Sequence, residues 1–298
     1  MSRIASGLTR RDLLGRAAGS AAALAAAAWA PAVLLGADEP PKKKLKGNIK
    51  QSVSLWSARL GSLDKAGQVV SSLGMAGIDL VGPDAAETLK KYGLVCTMMN
   101  TAGHGIPTGF NRKENHDKCV DLVSKAIEKA AQRGWRNVIC FSGNRGGLPD
   151  DEGAANCIVG LKRVAALAEE KKVYVCLELL NSKDHKDYMA DSSDWGAKVC
   201  AGVGSPRIKL LFDIYHMAMM DEDVCAKIPQ HKDYIGHYHT AGCPGRHELD
   251  KTDKQKLDYA AIMKVILDTK YDGYVAHEFT PTRDPAKSLA EAVEICDV

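Results

Sequence analysis

Four side chains with metal-ligand chemistry stand near the ends of four short apolar runs in the second half of the chain. Glu178 sits in VYVCLELLNSK, Asp213 in IKLLFDIYHM, His239 in IGHYHTAGCPGRHE and Glu278 in GYVAHEFTP. They are spaced about 35, 26 and 39 residues apart, each interval about the length of one strand plus one helix. Three carboxylates and one imidazole carry a formal charge of about −3 at neutral pH. Gathered without a cation, they would repel one another strongly. A divalent ion resolves the conflict, and an oxygen-rich set with one nitrogen favours Mn²⁺ or Mg²⁺, with Co²⁺ or Zn²⁺ able to substitute. The competing arrangement is an ordinary ion network in which each acid pairs with a Lys or Arg.

For four strand ends to converge, the strands must be parallel. Alternating strand-like and helix-like patterns run from Ile49 to Ile295 and predict an α/β fold with a parallel sheet. Strands are expected at Ile49–Trp56, Gly77–Val81, Leu94–Asn100, Asn137–Phe141, Val173–Leu180, Ile208–Asp213, Tyr234–His239 and Gly273–Phe279. Helices are expected at Leu63–Met75, Pro83–Tyr92, Lys113–Arg133, Ala154–Glu170, Trp195–Ala201, Glu222–Lys227, Leu257–Thr269 and Pro285–Ile295. The span from residue 48 to 298 is about 250 residues, the size of one (β/α)8 TIM barrel, whose active site is built by the loops after the strands. Residues two apart on a strand share a face. Cys176, Leu211, His237 and Ala276 therefore share the lumen side with Glu178, Asp213, His239 and Glu278. His237, one layer deeper, reads as a satisfied core histidine.

The ends and the composition narrow the class. Thr9-Arg10-Arg11-Asp12-Leu13-Leu14 resembles a twin-arginine export signal, followed by an alanine-rich apolar run to Leu35. Residues 1–37 are expected to be removed, with cleavage after Ala37 or Ala32, leaving a periplasmic protein. Residues 38–47, including PPKKKLK, are expected to form a solvated linker. Without residues 1–37 the chain has 36 basic and 36 acidic side chains. That balance offers no concentrated basic surface for nucleic acid. No later apolar run is long enough to span a bilayer, so no membrane association is expected after cleavage. Nine cysteines without CxxC spacing read as buried free thiols, with one disulfide as the alternative in an oxidising compartment, its pairing not set by sequence.

Taken together, LELLNSK, FDIYHM, HYHTAGCPGRHE and HEFTP resemble the hydroxypyruvate isomerase family within the xylose-isomerase-like barrels. CFSGNR and LKRVAALAE add to a likeness that covers nearly all of the chain after the leader. The resemblance implies a divalent-metal site at Glu178, Asp213, His239 and Glu278. It implies a small carbohydrate or hydroxy-keto acid as substrate, converted through a cis-enediolate. Glu178 and Glu278 would be both ligands and the acid/base pair, and Asp213 and His239 ligands only. His216 would hydrogen-bond a substrate oxygen. Arg246 would hold a carboxylate or hydroxyl with its planar donor fork, unless it braces its loop by pairing with Glu248. His104 and Asn144 are weaker substrate-binding candidates on loops, and Trp56 a candidate wall. Members of the family often carry glutamine where His239 stands, whereas ketose epimerases carry histidine. A ketose 3-epimerase is therefore the alternative reading. An endonuclease-IV-like nuclease and a non-catalytic sugar-binding protein rank lower, because Gly245 stands where the nuclease pattern has an acid and a binder needs no proton-transfer pair. Barrels of this kind often form homo-oligomers.

Overall fold

The computed structural model describes residues 43–298 apart from residue 253; the leader expected over residues 1–37 lies outside the described residues. Eight parallel strands form one sheet: β1 (Lys50–Ser54), β2 (Gly77–Asp79), β3 (Val95–Cys96), β4 (Asn137–Cys140), β5 (Tyr174–Glu178), β6 (Ile208–Asp213), β7 (Ile235–Thr240) and β8 (Tyr274–His277). Their order is β3-β2-β1-β8-β7-β6-β5-β4. Parallel bridges Val81↔Met99 and Met99↔Val138 join the two outer strands. The amide of Met99 donates to Asn137 O at 2.9 Å and that of Ile139 to Met99 O at 3.2 Å, which completes the ring of a (β/α)8 barrel.

Nine α-helices among the described residues cover the sheet: α1 (Leu63–Ser72), α2 (Ala86–Lys91), α3 (His116–Gln132), α4 (Asp150–Lys171), α5 (Ser193–Val203), α6 (Ile214–Met219), α7 (Val224–His231), α8 (Tyr259–Asp268) and α9 (Pro285–Cys296). Apolar side chains at helical spacing, such as Cys119, Val123, Ala126, Ile127 and Ala130 of α3, face the strands and are buried. None of the described helices is long and apolar enough to cross a membrane.

Most strands end a residue or two inside their expected bounds. Trp56, expected at the end of the first strand, lies in the turn after β1. The third strand is cut to two residues, and the rest of its expected length supplies the Met99 bridges. α4 starts four residues before its expected start, because Asp150, Asp151 and Glu152 occupy its first turn, where acidic groups favour the positive end of the helix dipole. α6 was not expected at all. Residues 43–47, expected in a solvated linker, lie on the barrel instead. The amide of Lys43 donates to Ser72 O, and that of Lys46 to the Asp297 carboxylate at 2.9 Å.

One irregularity sets the depth of the site. Between β6 and β7 the pairing shifts, from Leu210↔Ile235 to Leu211↔His237, leaving Gly236 as the extra residue of a bulge. A Cβ at Gly236 would stand 2.8 Å from Lys209 Cβ, so only glycine fits. The shift places His239 beside Asp213 at the same level.

Candidate metal centre

Glu178 and Asp213 are the last residues of β5 and β6, His239 is next to last in β7, and Glu278 follows β8 directly. These are four consecutive strands of the ring. The backbone around them is pinned. The Tyr188 hydroxyl donates to Glu178 O at 2.8 Å and accepts from the Ser142 amide at 3.0 Å, tying the end of β5 to the end of β4. The Glu278 amide donates to Thr240 O at 2.9 Å. Asp213 is also the N-cap of α6, its Oδ1 accepting from the His216 amide at 3.0 Å.

The four residues converge at depth, each no more than 5% exposed. One ligand atom from each lies within 4.8 Å of the others. His239 Nδ1 is 3.0 Å from Glu278 Oε2, 3.6 Å from Glu178 Oε1 and 3.8 Å from Asp213 Oδ2. Burial pushes the Glu178 carboxyl up to about 8, and the neighbouring Glu278 charge adds to the shift. Burial raises Asp213 too. Burial also opposes ionisation of Glu278, but His239, Arg246 and the Trp56 indole together outweigh it and pull its carboxyl well down. The carboxylates at the centre thus occupy unequal electrostatic environments.

Among the described residues, Arg246 is the Lys or Arg that reaches this cluster. Its Nη2 bonds Glu278 Oε2 and lies 3.8 Å from Asp213 Oδ2. It does not pair with Glu248, which instead accepts from the Thr282 amide at 2.8 Å, the Thr282 hydroxyl at 2.9 Å and the Ser288 hydroxyl at 2.9 Å. The Arg246 guanidinium lies over the rings of Trp56 and Tyr215, at 5.3 and 5.6 Å. The Trp56 indole N–H donates to Glu278 Oε1 at 2.8 Å, while the residue as a whole is 56% exposed.

His216 also lines the centre. Its Nδ1 accepts from the Asn181 amide at 3.1 Å, which leaves the proton on Nε2. Among the described residues that Nε2 has no hydrogen-bond partner, and it lies 3.7 Å from Asp213 Oδ2. The two loop candidates are placed otherwise. His104 uses both ring nitrogens away from the cluster: Nε2 accepts from the Phe141 amide at 3.1 Å, and Nδ1 faces Cys119 Sγ on α3 at 3.9 Å. Burial lowers its imidazole to about 4, so it stays neutral as a packing group between the strand-three loop and α3. Asn144 joins loops through its backbone, its carbonyl accepting from Asn111 Nδ2 at 2.7 Å. Among the described residues its side chain makes no hydrogen bond to the cluster.

Beneath His239 lies a residue the sequence reading passed over. Asp79, last in β2, is fully buried and accepts from His237 Nε2 at 2.6 Å; the expectation of a satisfied core histidine holds for that nitrogen only, because among the described residues the buried His237 Nδ1 has no hydrogen-bond partner. Asp79 Oδ1 is 3.5 Å from His239 Nε2. The signal was present: a carboxylate inside the apolar run GIDLV must find a partner if the run is buried.

The donor set fits a divalent cation. Arg246 pairs with Glu278 and Asp213 but not with Glu178, and among the described residues the buried His239 Nδ1 has no hydrogen-bond partner. An imidazole nitrogen aimed at three acidic oxygens is what coordination to one ion requires.

A profile of the family described as xylose isomerase-like TIM barrel matches residues 68–297. The 2-oxo-tetronate isomerase of Cupriavidus necator is 30% identical over 56% of this chain, a match that spans 64% of that protein's own length. The hydroxypyruvate isomerase of Escherichia coli is 25% identical over 74% of this chain and 88% of its own. Solved structures share the fold at lower identity. An AP endonuclease, family 2, from Brucella melitensis has a TM-score of 0.71 at 20% identity, covering 82% of this chain and 98% of its own. A D-psicose 3-epimerase from Clostridium cellulolyticum has a TM-score of 0.69 at 14% identity, covering 83% of this chain and 98% of its own.

Proposed function

The chain belongs to the xylose isomerase-like TIM barrel family, and from that premise we propose that it is a divalent-metal isomerase of a small 2-hydroxy-carbonyl or sugar substrate, of hydroxypyruvate isomerase type. The observation that carries this reading is the convergence of two buried glutamates, from β5 and β8, on one imidazole with Asp213 between them. Glu178, Asp213, His239 and Glu278 would hold Mn²⁺ or Mg²⁺, with Co²⁺ or Zn²⁺ able to substitute. The ion would supply Lewis acidity toward a carbonyl and its neighbouring hydroxyl.

The protein's own groups do the rest. Glu178 and Glu278 flank the space where the substrate carbons must lie. One takes the proton from the carbon beside the carbonyl, and one returns a proton to the adjacent carbon. The two carboxyls stand in unequal environments in the metal-free protein, Glu178 pushed up by burial and Glu278 held down, against burial, by His239 and Arg246. The His216 Nε2–H offers a donor to a substrate oxygen. Arg246 holds Glu278 in orientation and brings a positive charge to a carboxylate-bearing substrate, while Trp56 and Tyr215 wall the entrance.

The histidine at position 239 favours a second reading, a ketose 3-epimerase on the same residues. One experiment addresses both. The purified protein is given Mn²⁺ and a panel of 2-hydroxy aldehydes, hydroxy-keto acids and ketoses in D₂O, with Glu278→Gln as control. Deuterium uptake beside the carbonyl, lost in the variant by about 10²-fold or more, is the expected result. Label and product at C1–C2 indicate the isomerase, and at C3 the epimerase. No uptake with any member by the metal-loaded protein would sink both.

A further inference from the structure

Asp79, His237 and His239 form a second acidic–imidazole group directly below the metal centre, fully buried in the barrel lumen. An ion of their own does not fit them. Asp79 Oδ2 and His237 Nε2 are 2.6 Å apart, a hydrogen-bond length. Two donors on one ion at about 2.0–2.1 Å stand about 3 Å apart or more.

The contacts around Asp79 are asymmetric. Its Oδ2 takes both the His237 Nε2–H and the Thr97 hydroxyl, at 2.6 and 3.2 Å. Thr97 is itself held near Ser52 Oγ, at 2.9 Å. Among the described residues its Oδ1 has no hydrogen-bond partner; it lies 3.5 Å from His239 Nε2, a buried atom that has none among them either. The opposite nitrogen of the same ring, Nδ1, faces the carboxylates of Glu178, Asp213 and Glu278. A neutral imidazole carries its single proton on one nitrogen only. For Nδ1 to present a lone pair to a cation, the proton must sit on Nε2, and Asp79 is the acceptor that faces it.

We propose that Asp79 is the positioning residue of the metal centre: it accepts the Nε2 proton of His239 and thereby fixes the tautomer and ring orientation in which Nδ1 is the ligand. The proposal rests on the reading of Glu178, Asp213, His239 and Glu278 as a metal site. Carboxylates that orient ligating histidines in this way commonly change metal affinity by about 10–100-fold when removed. The chain extends the device one step further, because His237 and Thr97 anchor the orienting carboxylate from β7 and the third strand segment.

Asp79→Asn is the discriminating change. His237 and Thr97 donate to Oδ2, so the amide oxygen takes that place and the amide NH₂ turns toward His239 Nε2. A donor now faces a donor, and the ring is pushed to the wrong tautomer. Affinity for Mn²⁺ and Zn²⁺ is measured by competition with a chromophoric chelator, on full-length wild type, Asp79→Asn and Thr97→Val. The metal-free melting temperatures are recorded alongside. We expect Asp79→Asn to bind about 10–100-fold more weakly, and Thr97→Val, which removes one anchor but keeps the carboxylate that faces His239, to lose less affinity than Asp79→Asn. Unchanged affinity in a folded Asp79→Asn protein overturns the proposal and leaves the metal reading standing. A wild type that binds neither ion overturns both. Should Asp79→Asn fail to fold, ¹⁵N-histidine NMR of the Zn²⁺-loaded wild type decides. The proton of His239 on Nε2 is the expected result, and Nε2 as the metallated nitrogen overturns the proposal.

Discussion

Glu178 shows how far a single carboxyl can be pushed by its surroundings. Burial first, and the Glu278 charge second, raise it from its ordinary value of 4.5 to about 8 in the metal-free protein. The sign for stability follows from proton counting. Between these values the folded state keeps a proton that the unfolded state has lost, so stability falls as pH rises through this window. Glu178→Gln removes the charge that must otherwise be buried. The metal-free variant should therefore melt about 2–8 °C above metal-free wild type at pH 8, equivalent to about 1–2 kcal/mol, and this gap should narrow toward pH 5. Saturating divalent metal should reverse the order, because wild type gains binding energy that the variant cannot. Melting curves with and without metal read both effects, and a variant that melts lower without metal would mean that Glu178 is a satisfied member of an ion network. The convergence of Glu178, Asp213, His239 and Glu278 was legible because each closes an apolar run, with intervals that match one βα unit. Asp79 was not. Its strand is three residues long, and its partner His237 is 158 positions away, so no local pattern joins them. The hydrogen bond from Trp56 to Glu278 was not legible either, since the two are 222 positions apart.

Among the elements, the join between β6 and α6 combines two tasks in one residue. Asp213 presents Oδ2 to the centre and gives Oδ1 to the first turn of α6 as its cap. The two tasks can be separated by mutation. Asparagine is as good an N-cap as aspartate, and alanine is a poor one. Asp213→Asn and Asp213→Ala both remove a buried carboxylate, so that contribution cancels between them. In denaturant unfolding of the metal-free proteins, Asp213→Ala should be less stable than Asp213→Asn by about 1 kcal/mol, while both lose metal affinity to a similar extent. Equal stability would mean that the cap contributes nothing and that packing alone holds α6. This element escaped the sequence reading for a physical reason. IYHMAM follows the strand with no glycine, proline or polar break, and it is six residues long, too short to show a helical period. The capping aspartate was visible but already assigned to chemistry. The early start of α4 was missed in the same way, since an acidic triplet after proline reads as a loop until its place on the helix dipole is considered.

For the molecule as a whole, eight strands and their helices enclose a core that needs no cross-link. A barrel of about 250 residues buries enough of its surface to be stable without disulfides. Its nine cysteines are all unpaired, eight of them buried and Cys225 half-buried at the start of α7. This outcome was legible in the sequence, because cysteines scattered through apolar positions of strands and helices are packing residues. Burial sets their reactivity as well as their place. It raises the Cys140 and Cys176 thiols far above their ordinary range, which leaves almost no thiolate, and the thiolate is the reacting form. Cys225 is raised too, by burial and then by Asp223 and Asp258, but it is the one thiol within reach of solvent. An aromatic disulfide reagent should therefore titrate one thiol in the native protein, at a rate slower than that of a free cysteine, and nine in denaturant. Cys225→Ser should abolish the native phase. The eight remaining thiols should react at the rate of global unfolding, so that stabilising the barrel with divalent metal slows them without touching Cys225. Two or more thiols reacting quickly in the native protein would mean that the wall of β4, β5 and their helices opens on its own, and that the metal centre stands on a less rigid frame than the packing of these strands implies.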